Sequence, residues 1–310
     1  MSRRTFPLAL LGLCALGLNA MAADTLPVLI EPATLSGMMS DSNLVILHIG
    51  PSDGYDKEHI PGARRMSARP FILNETEEGR KHEVPALETL DSLAQSLGLR
   101  NDSKIVITYD APNALMSASR IFMTFEYMGF NGQVAVLNGG LPAWKAMEYP
   151  TTDEVPEWEV SDIALKLNQD VIVETDWVLN NLKNRNVAIF DCRPGEIYSG
   201  EIVLNDGDPA GHIEGAYNLF YMDLLVDGKY PDLETLKSDF LTAGLPGGDI
   251  TVVMYCRTGL WAAPIYLAAR SLDMNVRFYD GSFEAWISDP SRPVAGPKKK
   301  SWFKRLFGKD

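Results

Sequence analysis

The sequence predicts an α/β protein of two similar tandem domains, each a parallel sheet with helices on both faces. Three observations carry that prediction. Apolar strand runs alternate with helical segments, the order that produces parallel sheets covered by helices. The same order of elements occurs twice along the chain. A stretch rich in proline and acid, Thr151 to Trp158, lies between the two copies.

In the first half Val45 to Gly50 reads as an apolar strand, followed by His59-Ile60-Pro61-Gly62-Ala63. Leu90 to Leu97 reads as a helix, Lys104 to Asp110 as a strand, and Ala118 to Tyr127 as an apolar helix. Val134 to Leu137 then runs into Gly139-Gly140-Leu141-Pro142-Ala143-Trp144. The second half repeats this order. Val187 to Asp191 precedes His212-Ile213-Glu214-Gly215-Ala216, and Leu233 to Ala243 precedes the strand Ile250 to Cys256. A helix over Ile265 to Leu272 and a strand over Val276 to Tyr279 lead to Gly281-Ser282-Phe283-Glu284-Ala285-Trp286. The predicted organisation is a leader over 1–22, a domain over 23–150, a linker over 151–165, a second domain over 166–297 and a tail over 298–310.

The chain has 310 residues, 46% hydrophobic and 22% charged, enough for two globular domains. Its net charge of -13 argues against general nucleic-acid binding, which needs a basic face. Three cysteines do not make a disulfide framework. Arg3 and Arg4 precede the apolar run Phe6 to Leu18, and Ala20-Met21-Ala22 is a small-x-small cleavage site. This pattern predicts export to the periplasm, with the twin-arginine and general routes both open. Cys14 would leave with the leader, so the mature chain keeps Cys192 and Cys256. The tail Lys298 to Asp310 places Trp302, Phe303, Leu306 and Phe307 on one helical face among cations. That suits peripheral contact with an anionic membrane as well as it suits a solvated end.

Val252 to Pro264 carries the most chemical information. A buried strand runs into Cys256, then Arg257-Thr258-Gly259-Leu260-Trp261, and Pro264 fits the first turn of a helix. A thiol between a strand end and a helix start meets backbone N–H groups that favour an anion, so the sequence predicts a lowered pKa and a nucleophilic thiolate. A buried structural cysteine is the alternative. The repeat weighs against it. Asp110 takes the place of Cys256 in the first half, and Asp110-Ala111-Pro112-Asn113-Ala114-Leu115 has neither thiol nor arginine. The first half is therefore read as a scaffold and the second as the carrier of the site.

With these motifs in order and duplicated, the chain resembles the tandem rhodaneses, the thiosulfate sulfurtransferase family, from about Val28 to Pro293. The resemblance implies an inactive first and an active second rhodanese-like domain. It implies a double displacement: Cys256 takes a sulfane sulfur from thiosulfate or a related donor as a persulfide and passes it to cyanide or a thiol, with no metal or organic cofactor. Arg257 is then the local cation for the donor, and Gly259 allows the loop to turn. The N–H groups of Arg257, Thr258, Gly259, Leu260 and Trp261 would cradle the persulfide. Arg193, in Asp191-Cys192-Arg193 on the neighbouring strand, is carried over as a second binding cation in preference to a brace on Asp191 or Glu196. His59 and His212 recur in both halves and are read as turn-fixing residues; Trp144 and Trp286 recur likewise and are read as core.

Two positions depart from the family's pattern. Trp261 stands where thiosulfate sulfurtransferases more often carry threonine or a cation. It would favour an organic thiol or a protein sulfur acceptor over a small dianion. Arg257 pulls the other way, since mercaptopyruvate-type loops usually lack that charge, so thiosulfate is kept first. Cys192 is the other departure: packing is the preferred reading, and a disulfide or relay with Cys256 the alternative. The competing functions are a non-catalytic persulfide carrier, a mercaptopyruvate-type enzyme and, less well supported, a phosphatase, whose loop would need an arginine where Trp261, Ala262 and Ala263 stand.

Overall fold

The computed structural model describes residues 25–72 and 81–297. The predicted leader over 1–22 and the predicted amphipathic tail over 298–310 lie outside the described residues. Each half forms a five-stranded sheet in which every pairing is parallel. The first contains β1 (Leu29–Ile30), β2 (Leu44–Ile49), β3 (Arg64–Met66), β4 (Lys104–Tyr109) and β5 (Val134–Leu137), in the order β1-β5-β4-β2-β3. The second contains β6 (Ile172–Val173), β7 (Val187–Asp191), β9 (Tyr217–Asn218), β10 (Thr251–Tyr255) and β11 (Asn275–Tyr279), in the order β6-β11-β10-β7-β9. The orders are the same once the second is renumbered, as a duplicated sequence requires. A short antiparallel clip joins β8 (His212–Ile213) to β12 (Val294–Ala295), and the bridge between His59 and Thr152 is its first-half counterpart.

The central strands are buried nearly throughout, which is why β4 and β10 are almost continuous runs of β-branched and aromatic residues. Each sheet packs an outer face on its own small cluster: Val106 and Trp144 in the first domain, Val253 and Trp286 in the second. The inner faces share one core. It includes Phe122 and Phe125 from helix Leu115–Tyr127 and Ile265 and Tyr266 from helix Ala262–Ser271, so the two helices join the domains. Within this seam the buried Glu126 carboxylate accepts from Arg270 at 2.8–3.1 Å and from the Tyr266 hydroxyl at 2.7 Å.

The recurring histidines and tryptophans hold the corners of the fold. His59 stacks on Tyr55 at 3.9 Å with Nδ1 2.7 Å from the Tyr55 carbonyl oxygen. His212 stacks on Tyr198 at 3.7 Å with Nδ1 2.8 Å from the Tyr198 carbonyl. Trp144 and Trp286 are fully buried, and their indole N–H groups donate to the carbonyls of Pro150 and Pro293. From Trp158 to Asn168 the chain is irregular and is bonded to the first domain. The Trp158 indole donates to the Ser96 carbonyl at 3.0 Å, and Leu165 N–H donates to Asp91 at 2.8 Å.

The sequence reading missed the edge strands β1 and β6 and the helices that follow them, Pro32–Met38 and Thr175–Asn181. Two residues of strand are too few to show a period, and their pairing with β5 and β11 is a tertiary event.

Candidate active site

The repeat is exact in register where it matters. β2 and β4 pair up to Ile49 and Tyr109, and β7 and β10 pair up to Asp191 and Tyr255. Cys256 therefore leaves its strand at the same point as Asp110, at the carboxyl end of the central strand, where open parallel sheets hold their ligands. The loop after Cys256 turns back on the sulfur. Gly259 N–H donates to Sγ at 3.2 Å. The N–H groups of Thr258, Trp261 and Ala262 also favour the charged sulfur. The predicted cradle is thus supplied by Thr258, Gly259, Trp261 and Ala262, the last of which the sequence reading did not include. Gly259 sits at φ +92, a conformation that a side chain resists. On the other side of the loop, the carbonyls of Cys256 and Arg257 accept from Phe283 and Glu284 N–H, both at 3.1 Å.

The predicted lowering of the Cys256 pKa requires correction. Its side chain is 1% exposed, and that burial pushes the thiol up; the backbone N–H groups offset the shift only in part. The sequence argument counted the dipoles and had no means of counting desolvation, which here is the larger effect.

Arg257 does not stand free beside the sulfur. Its guanidinium pairs with Asp208 at 2.7 Å and lies 3.7 Å from Glu284. Arg193 also departs from expectation. It is buried, forms a two-pronged pair with Asp191 at 2.5–3.1 Å, donates to the Gly211 carbonyl at 2.7 Å and lies over the Phe283 ring at 4.0 Å. It braces the loop instead of presenting a guanidinium to a donor. The reason is local: Asp191 is fully buried, and a buried carboxylate takes the nearest cation. Trp261 is half-buried and packs edge-on against Phe220 at 6.1 Å. Leu260 is also half-buried.

The sequence reading missed what the first domain contributes. His82 Nδ1 lies 2.8 Å from the Thr258 hydroxyl, inside the Cys256 loop. Burial and then the neighbouring Arg120 charge hold the His82 imidazole below its ordinary pKa. His82 has a left-handed backbone, φ 66, which the surroundings must maintain. Arg120 does so: its Nη2 donates to the His82 carbonyl at 2.5 Å and to Asp280 at 2.6 Å, while its guanidinium lies 5.0 Å from the Phe278 ring centre. Its Nη1 would be only 3.0 Å from a Cβ on Gly259, so the first domain's cation touches the back of the loop. A signal for both existed. His48 and His82 are the two of the four histidines without a counterpart in the other half, and Arg120 is one of two charges, with Glu126, inside an otherwise apolar helical run.

The chain as a whole is similar to known proteins. The sequence profile of the family described as rhodanese-like domain matches residues 31–147 and again 174–289. The chain is 30% identical over 271 residues to a thiosulfate sulfurtransferase of Azotobacter vinelandii, covering 87% of this chain and 97% of that protein. It is also 30% identical over 281 residues to a probable 3-mercaptopyruvate sulfurtransferase of Pseudomonas aeruginosa, covering 86% and 97%. The crystal structure of SseA from Escherichia coli superposes with a TM-score of 0.70 at 24% identity, over 83% of this chain and 99% of that one. The chain belongs to the rhodanese-like family as a tandem of two such domains, and to the sulfurtransferases within it.

Proposed function

We propose that the protein moves a sulfane sulfur from thiosulfate to a thiophilic acceptor, cyanide or a thiol, through a persulfide on Cys256. The observation that carries the reading is the loop of converging N–H groups around Sγ, with Gly259 at 3.2 Å. In the first displacement the sulfur of Cys256 attacks the outer sulfur of the donor and sulfite leaves with the bonding pair. In the second, the acceptor attacks the outer sulfur of the persulfide and Cys256 leaves as thiolate. A positioned dipole cradle is the arrangement that stabilises charge on sulfur in both steps. Burial raises the cost of the resting thiolate, so a bound anion-offsetting group matters, and Arg257 is the nearest candidate once donor oxygens displace Asp208. The test is steady-state sulfur transfer from thiosulfate to cyanide, with Cys256→Ser as the control. Loss of transfer in the variant supports the reading. Transfer that survives it would overturn the assignment to Cys256, and a parent that takes up sulfur on Cys256 without turning over would leave a carrier in its place.

A specific observation favours a second donor. Arg257, Arg193 and Arg120 are each paired with a carboxylate, and Trp261 adds an apolar wall. That environment suits a singly charged organic thiol such as 3-mercaptopyruvate better than a small dianion. Comparing kcat/KM for the two donors decides between them. Export to the periplasm, with the basic tail touching an anionic membrane or a protein acceptor nearby, belongs to the same proposal; cell fractionation that finds the chain only in the cytoplasm would remove it.

A further inference from the structure

We infer that Cys192 is a resolving thiol, able to discharge the Cys256 persulfide as hydrosulfide when no acceptor takes the sulfur. This activity rests on the persulfide reading above. Its basis is position. The strands β7 and β10 are in register to Asp191 and Tyr255, and one step further Cys192 N–H still donates to the Tyr255 carbonyl at 2.8 Å. Cys192 and Cys256 therefore leave adjacent parallel strands side by side. Their side chains also share a face. Phe190, Cys192, Met254 and Cys256 all belong to the core between the domains, whereas Tyr255 belongs to the cluster on the other face. Neighbouring strands lie about 4.8 Å apart, inside the Cα separation of about 4.4–6.8 Å that a disulfide spans.

The first domain shows independently how close the two positions are. Gly50 and Asp110 occupy them there, and a Cβ on Gly50 would lie 2.0 Å from the Asp110 carboxylate. The side chain at the nucleophile's position thus sweeps the space directly over the neighbouring strand end. In the second domain both positions carry a thiol, and both thiols are free. Cys192 is 0% exposed, and its thiol makes a long contact, 3.7 Å, to the Phe190 carbonyl.

The step balances without an external oxidant. The Cys192 sulfur attacks the inner sulfur of the persulfide, Sγ of Cys256. A bond forms between the two cysteine sulfurs as the bond to the outer sulfur breaks. The outer sulfur leaves with the bonding pair and takes the Cys192 thiol proton, departing as hydrosulfide. The two cysteine sulfurs are oxidised to a disulfide, and the sulfane sulfur is reduced to sulfide. Burial pushes the Cys192 thiol well up, so Cys192 attacks only as it hands its proton to the departing sulfur. An external dithiol restores both cysteines by ordinary exchange.

The full-length protein is loaded with thiosulfate in one arm and inorganic polysulfide in another, freed of donor, and followed without acceptor by mass spectrometry of intact chain and peptides. The expected result is a one-sulfur gain on Cys256 that decays into a Cys192–Cys256 disulfide, with one hydrosulfide released per chain and reversal by added dithiol. In Cys192→Ala, and in the size-matched Cys192→Ser, the persulfide should last roughly tenfold longer or more, since an adjacent nucleophile has been withdrawn. A persulfide that decays equally fast in parent and variants, with no disulfide peptide, overturns the inference and leaves the persulfide reading intact. A Cys256 that gains no sulfur from either donor overturns both.

Discussion

Replacing Gly259 by alanine tests whether the loop N–H groups, and not mere burial, make Cys256 usable. Gly259 stands at φ +92, and an added Cβ would meet Arg120 Nη1 at 3.0 Å and the Phe278 ring at 3.3 Å. The conformation alone costs a residue with Cβ about 1–2 kcal/mol. Neither neighbour yields easily: Arg120 is fully buried and held by Asp280 and His82. The loop should therefore relax away from the Gly259 conformation, drawing its N–H from Sγ, now 3.2 Å away. A hydrogen bond to a charged group contributes about 1.5–3 kcal/mol, and about 1.4 kcal/mol is one pKa unit. The Cys256 thiol should then titrate about one to two units higher in Gly259→Ala, with the thiolate fraction near neutral pH down roughly tenfold to a hundredfold. The assay is the pH profile of Cys256 alkylation by iodoacetamide, read on the Cys256 peptide beside a thermal melt. A lower melting temperature with an unchanged alkylation midpoint and unchanged sulfur transfer would refute the reasoning.

Three further outcomes follow from the same contacts. Burial raises the folded-state pKa of both Cys256 and Cys192. The folded chain thus holds their protons where the unfolded chain releases them, and stability should fall as pH rises above about 8.5, the ordinary thiol value. Urea midpoints at a series of pH values check this, and Cys192→Ala should flatten the decline. Glu126→Gln leaves Arg270 facing a neutral side chain in the domain seam; it should cost about 2–4 kcal/mol, less than a fully buried pair because Arg270 keeps some water. No change in the urea midpoint would show that the seam contributes little. Asp208→Asn removes the 2.7 Å partner of Arg257 and should raise kcat/KM for thiosulfate roughly several-fold at low salt, with a smaller change for 3-mercaptopyruvate. A loss for both donors would mean that Asp208 positions Arg257 and does not compete with the donor for it.

The fold was legible because duplication checked every assignment twice. A strand proposed at Val252 had to agree with one at Val106, and a tryptophan at 286 with one at 144. The edge strands β1 and β6 still escaped in both halves, being too short to show a period, and at the site what escaped was what the two halves do not share. Arg120 and His82 act across the domain seam, so the sequence marks them as unusual without saying what they touch. Arg193 failed for a different reason. Its proximity to the site followed correctly from strand order, but its partner depended on whether Asp191 was buried, and that is a tertiary fact. The Cys256 pKa failed in the same way: dipoles can be inferred from a loop sequence, whereas desolvation needs the finished core.

The first domain is more than an inert half, and what it lacks at the position of Cys256 goes beyond the thiol. Asp110 holds the nucleophile's place and is kept there by His48 at 2.7 Å. Two residues on, where the second domain presents the N–H of Thr258 to the sulfur, the first domain has Pro112, which has no N–H. The chain then forms a single turn over Pro112–Ala114 and enters its helix at Leu115, without the Gly259 reversal. Asp110→Cys should therefore yield a thiol without its cradle. In a Cys256→Ser background it should restore no sulfur transfer, although the new thiol should still be open to alkylation. Transfer regained in that double variant would show that the sheet position alone suffices. Its absence would locate the chemistry in the loop's donors, the part of the site that only one copy of the repeat retains and that the other copy, through Arg120 and His82, holds in shape.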